Sequence, residues 1–124
     1  MAVIHRFIGS GNNYHWEEIQ PQSYNEADIS GVFKHVLIGP EDGAPNFIIR
    51  YFEVEPGGFS RLESHPQEHG ILILRGSAQI QLRDEISSLD PLDVVFIPGG
   101  EVHQLKNASD DKLGFICVIP TNTK

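Results

Sequence analysis

From Gly31 onward the chain is built of short apolar stretches, alternating or β-branched in character, each ended by glycine, proline or aspartate. VFKHVLI (32–38), NFIIRYFEV (46–54), FSRLESH (59–65), HGILILR (69–75), AQIQL (78–82), DVVFI (93–97), VHQLKN (102–107) and LGFICVI (113–119) have the length and the Val, Ile and Phe content of strands. Between them, IGPEDGAPN, EPGG, RDEISSLDPLD, PGGE and ASDD carry the residues that make turns. Eight strands at this spacing predict an all-β sandwich or jelly roll. Residues 1–30 differ, because only VIHRFI and the EADI region show an apolar pattern there; an arm with one short strand is expected. The best helical candidate, EEIQPQSYNEADI, carries Pro21 in its middle, where the missing N–H and the ring break a helix. The expected organisation is an N-terminal arm over 1–30, a β-barrel domain over 31–120 and a C-terminal tail over 121–124.

Composition narrows the partners. A chain of 124 residues suits one domain with its own apolar core and leaves no room for a second. Nine basic against seventeen acidic residues give a net charge of −8, which repels phosphate backbones and anionic headgroups. Neither nucleic acid nor a membrane is therefore an expected partner. The longest apolar runs, such as VVFI at 94–97, fall far short of the ~20 residues a membrane helix needs. Cys117 is the only cysteine and no signal-peptide pattern is present, so a cytoplasmic location is the expectation.

The candidate chemistry lies in LESHPQEHG (62–70). On an extended strand Glu63 and His65 point to the same face. Pro66 then stops the strand, and a turn through Gln67 and Glu68 can return His69 beside the first pair. Histidines four apart also share a helix face, but the proline after His65, the glycine after His69 and the ILIL run beyond favour strands. His103 adds a further donor just past the Pro98-Gly99-Gly100 turn. A lone histidine is more often a hydrogen-bonded surface residue than a ligand; it is the constellation that changes the balance. Glu68 reads as a solvated turn residue, Asn107 as one that fixes a turn, and His35 as structural, while His5 and His15 lie in the arm.

These residues resemble the cupin superfamily. Its first motif is matched by Gly57, five residues, Glu63-x-His65, three residues, His69, six residues and Gly76. Its second is matched by Pro98-Gly99-Gly100, two residues, His103, three residues and Asn107. Glu63 stands where the family has its first histidine and His69 where it has glutamate, so three imidazoles and one carboxylate are kept in permuted order. Leu92 replaces the leading glycine of the second motif, a change expected to alter only a turn. KHVLIG, APNFIIRYFEVEPGG, SHPQEH and FICVIP look like the small bacterial single-domain cupins that bind manganese or iron.

The resemblance implies a double-stranded β-helix and a metal held by Glu63, His65, His69 and His103. A set of nitrogens with one carboxylate oxygen and no thiolate suits Mn(II) or Fe(II), with Ni, Co or Zn as the other candidates. Octahedral coordination leaves two positions open. On the last strand Phe115, Cys117 and Ile119 share a face, and the resemblance puts that face at the metal pocket, so Phe115 and Cys117 are expected to line it. The plain alternative for Cys117 is a small buried hydrophobe. Arg50 alternates with Ile48 and Phe52; inward it would grip a carboxylate, outward it would pair with a surface acid, and both stay open. The expected function is a metal-dependent enzyme on a small organic molecule, anionic or enolisable, working as a dioxygenase-like oxygenase or as a Lewis-acid isomerase or lyase. The alternative is a non-catalytic small-ligand or sensor cupin. Edge strands and an exchangeable arm make a homodimer the expected assembly.

Overall fold

The computed structural model describes residues 1–26 and 28–121; Ala27 of the EADI region and residues 122–124 of the expected tail lie outside the described residues. Among the described residues nine strands follow in order: β1 (Gln22–Glu26), β2 (Ile29–Ile38), β3 (Phe47–Phe59), β4 (His69–Arg75), β5 (Ala78–Leu82), β6 (Glu85–Leu89), β7 (Val94–Ile97), β8 (His103–Lys106) and β9 (Leu113–Pro120), with one 3-10 turn at Pro40–Asp42. They pair antiparallel in the order β6-β5-β8-β3-β9-β4-β7, and β2 joins β3 while β1 joins β2. The architecture is a nearly all-β double-stranded β-helix, as expected. No helix among the described residues is long and apolar enough to cross a membrane.

Alternation builds the barrel. Ile71 and Ile73 of β4, Ile80 of β5, Leu105 of β8 and Phe115 of β9 are members of one buried cluster, each contributing about 1.5–3 kcal/mol by leaving water. On β3 the same period sends Arg50, Phe52 and Val54 to the inner side, where they line a cavity. Tyr51 faces the other way, yet it is fully buried because the arm covers it. Tyr14 stacks on Tyr51 at 5.5 Å between ring centroids, and Trp16 lies 5.2 Å from Tyr51 and 5.9 Å from His35. His5 Nε2 clips the start of the arm to Asp42 at 2.7 Å.

The short strand expected within residues 1–30 is β1, while VIHRFI forms only an isolated bridge between Phe7 and Trp16. Two expectations need correction. EISSL, read as part of a turn, is strand β6; it pairs along its full length with β5 but buries only Leu89, so its inner-face signal is a single residue. FSRLESH is not a strand beyond Phe59, where β3 ends. The reason is a bulge: Ser60 N–H donates to Leu105 O at 2.9 Å, whereas Glu63 bridges His103, so three steps on one side meet two on the other. The Ser60 hydroxyl fills the gap by accepting from Leu105 N–H at 3.0 Å.

Leu92, the residue in place of the family's glycine, has φ of 75° and is 76% exposed. A branched side chain in the left-handed region is strained, while an exposed leucine gains little by burial. Leu92→Gly is therefore expected to stabilise the fold by roughly 0.5–1 kcal/mol after the added freedom of the unfolded chain is counted, a gain that urea denaturation would reveal as a raised midpoint.

Candidate metal centre

The two motifs meet because their turns interlock. The Gly100 N–H donates to the His65 carbonyl at 2.7 Å, and Gly99 packs so closely that a Cβ there would sit 2.2 Å from the Pro66 carbonyl oxygen. Only glycine admits that approach. On the other side, Glu63 and His103 exchange both backbone hydrogen bonds, at 3.1 and 2.9 Å. His103 opens β8 and His69 opens β4, so all three histidines converge on one end of the barrel.

His65, His69 and His103 each offer a ligand atom within 4.8 Å of the other two. Their ring centroids are 4.6, 5.1 and 4.9 Å apart and their planes are crossed at 65°, 84° and 70°, an arrangement that aims nitrogens at a common point instead of stacking the rings. His65 Nε2 and His69 Nε2 face each other at 2.7 Å, close to the roughly 3 Å expected of neighbouring nitrogens on one ion at ~2.1 Å bonds. His103 Nδ1 is 2.9 Å from the Glu101 carbonyl oxygen and so carries the proton, leaving Nε2 with a free lone pair. His69 Nδ1 lies 3.0 Å from Cys117 Sγ, a contact that fixes the orientation of that ring. His65 Nδ1 is buried and has no hydrogen-bond partner among the described residues.

Burial pushes the His69 imidazole down to about 3, helped by His103, His65 and Arg50 nearby, so at neutral pH it presents a lone pair and not a charge. Burial likewise pushes the Cys117 thiol up, against the opposing pull of Arg50, so the sulfur stays a thiol. Imidazole nitrogens gathered at one point are what a divalent cation needs.

A cavity of about 360 Å³ opens beside them. It is lined by Glu63, His69 and His103, by Arg50, Phe115 and Cys117, and by apolar residues such as Phe52 and Ile71. Of the four expected ligands the structure gathers the three histidines within bonding reach of one centre. Glu63 shares the cavity, but its carboxylate stands outside the 4.8 Å group. Arg50 points inward, and the open alternative of a surface pair does not occur among the described residues. Ser60 and Arg61 also line the cavity. The bulge turns them inward, and plain alternation could not have placed both Ser60 and Glu63 on one face. Asn107 touches none of the histidines; it ties together the turn after β8, as expected.

The model of the cupin domain matches residues 50–119. The chain is 35% identical over 111 residues to 1-methylthio-D-xylulose 5-phosphate methylsulfurylase of Rhodospirillum rubrum, covering 87% of this chain and 70% of that protein. Among solved structures, a cupin-2 domain from Rhodospirillum rubrum superposes with a TM-score of 0.82 at 35% identity, covering 96% of this chain and 79% of the other. A polyketide cyclase from Streptomyces resistomycificus gives 0.77 at 30% identity, over 83% and 74%. With the match spanning both motifs and most of the barrel, the chain belongs to the cupin family.

Proposed function

We propose that this cupin is a metal-dependent enzyme that acts on a small, enolisable carbonyl compound, with His65, His69, His103 and Glu63 holding Mn(II) or Fe(II). The observation that carries the reading is the crossed triad of imidazoles, two of which, His69 and His103, line a cavity large enough for a small organic molecule. A bound divalent ion supplies Lewis acidity, polarising a substrate oxygen and stabilising charge that develops on it. The chain's own residues prepare that environment. The Glu101 carbonyl accepts from His103 Nδ1 and leaves Nε2 facing the other rings, while Cys117 Sγ orients the His69 ring through its Nδ1. Glu63 contributes a negative charge to the ligand set, and Phe52, Phe115 and Ile71 keep water from the carbon skeleton. The names of the relatives support the choice of Lewis-acid chemistry over oxygenation: one acts on a ketose 5-phosphate derivative and the other is a cyclase.

Metal-loaded protein incubated in D₂O with a panel of hydroxyketone phosphates and 2-oxo acids tests this by NMR. Deuterium should enter the carbon next to one substrate's carbonyl at least ~100-fold faster than in buffer, and His65→Ala should abolish the exchange. Stoichiometric O₂ uptake with no deuterium exchange across the panel would overturn the Lewis-acid reading.

A further inference from the structure

Arg50 of β3 sits directly across from Cys117 of β9 in the sheet, and both line the cavity. Its Nη2 donates to Cys117 Sγ at 3.1 Å, and its Nε is buried with no hydrogen-bond partner. The Phe52 ring lies 4.8 Å from Cζ. Thiol sulfur is a weak acceptor and a phenyl face supplies only a cation–π contact, so neither neutralises the charge. Three of the other four arginines are paired, Arg61 with Asp28, Arg75 with Glu53 and Arg83 with Glu101, and the fourth, Arg6, is exposed to water. Among the described residues no carboxylate forms an ion pair with Arg50. A partly buried cation without a counter-ion is costly to keep unless something else brings the negative charge.

The position of that cation defines what would bring it. One sulfur atom separates the guanidinium from the His69 ring, since Cys117 Sγ contacts both. We infer that Arg50 is the anion anchor of the cavity, gripping the carboxylate or phosphate of a small substrate whose neighbouring carbonyl or hydroxyl oxygen faces the histidines. This rests on the metal-centred reading only for the second contact. The guanidinium fork presents parallel N–H groups that match two oxygens of a carboxylate or phosphate. The cavity also has apolar lining, with Phe52, Phe115 and Ile71 suited to a short carbon chain. At about 360 Å³ the cavity is at the small end of the range for ligand sites. The substrate class is therefore a small organic acid or phosphate monoester with an oxygen function close to its charged group.

The test uses wild type, Arg50→Gln and Arg50→Lys, each loaded with Mn(II) and each stripped with EDTA. Each is titrated calorimetrically with glycolate, with 2-phosphoglycolate and with neutral ethylene glycol. Arg50→Gln should weaken anion binding about 10- to 100-fold, and Arg50→Lys should restore part of it because charge returns without the fork. Ethylene glycol should not distinguish the three proteins, and Mn(II) content should be equal in all. Arg50-dependent binding of glycolate assigns the anchor to carboxylates, and of 2-phosphoglycolate alone to phosphates. Should Arg50→Gln fail to fold, as judged by circular dichroism, the lysine variant carries the test through its weakened anion binding. Anion affinity that is unchanged in the folded variants, or anion binding absent from wild type, would overturn the assignment. The two arms separate the two proposals: Arg50-dependent anion binding in stripped protein, together with loaded wild type that retains no Mn(II), would sink the metal centre and leave the anchor standing.

Discussion

His103→Ala is expected to lose its metal while keeping its barrel. His103 is buried on the first residue of β8, its Nδ1 is committed to the Glu101 carbonyl, and the ring closes the triad with His65 and His69. Removing it takes one of three nitrogens from the centre. Since losing even an outer partner of a metal ligand costs about 10- to 100-fold in affinity, losing the ligand itself should exceed ~100-fold. The backbone bridge from Glu63 to residue 103 does not depend on the side chain, and the vacated space adjoins a cavity already present. The stability loss should therefore be confined to the unpaired Glu101 carbonyl, about 1 kcal/mol. Elemental analysis of protein purified without chelators reads the first effect and urea denaturation the second. His65→Ala should behave alike, and a variant retaining one metal per chain would remove that histidine from the site.

Asn107→Ala should show the opposite pattern, a badly weakened fold with the metal ligands untouched. Asn107 is 1% exposed, and its Nδ2 donates to the Val54 carbonyl at 2.9 Å and the Asp111 carbonyl at 2.7 Å. Its Oδ1 accepts from the Ser109 N–H at 3.0 Å and from Ser109 Oγ at 2.7 Å. The backbone adds bonds to Gly57 and Gly58, so this one residue fastens the end of β8 to the last residues of β3 and to the loop before β9. Alanine would orphan several of these groups in the interior at about 1–3 kcal/mol each. A total near 3 kcal/mol is a large share of the 5–15 kcal/mol that holds a domain together. The urea midpoint should fall by roughly 1–2 M. Ser109→Ala, which leaves both Nδ2 bonds in place, should cost much less. Equal midpoints for wild type and Asn107→Ala would show that the turn is held by other means.

How much of this was legible in the sequence depended on how many residues each element buries. β4, β8 and β9 announce themselves because Ile71 and Ile73, His103 and Leu105, and Phe115 and Cys117 alternate inward. β6 does not, since Leu89 alone is buried and its serines look like a turn. The segment after Phe59 misled in the other direction. Alternation continues through Arg61, Glu63 and His65, but the extra residue at Ser60 breaks the ladder, and a bulge leaves no compositional trace. The histidines were readable from turn chemistry and motif spacing. The partners of their Nδ1 atoms were not, because they are a backbone oxygen at Glu101 and a sulfur 48 residues away in the chain from His69. The arm's role was equally hidden: Tyr14 and Trp16 gain meaning only from Tyr51, whose outward position follows from the same alternation that turns Arg50 inward.

Crystals soaked in Mn(II) and measured for anomalous scattering at the manganese edge address the centre directly. The account predicts one strong peak per chain, about 2.1–2.3 Å from a nitrogen of His65, of His69 and of His103, with a Glu63 oxygen drawn in beside them. A difference map with no peak between the three rings, or with manganese bound only at surface carboxylates, would contradict it.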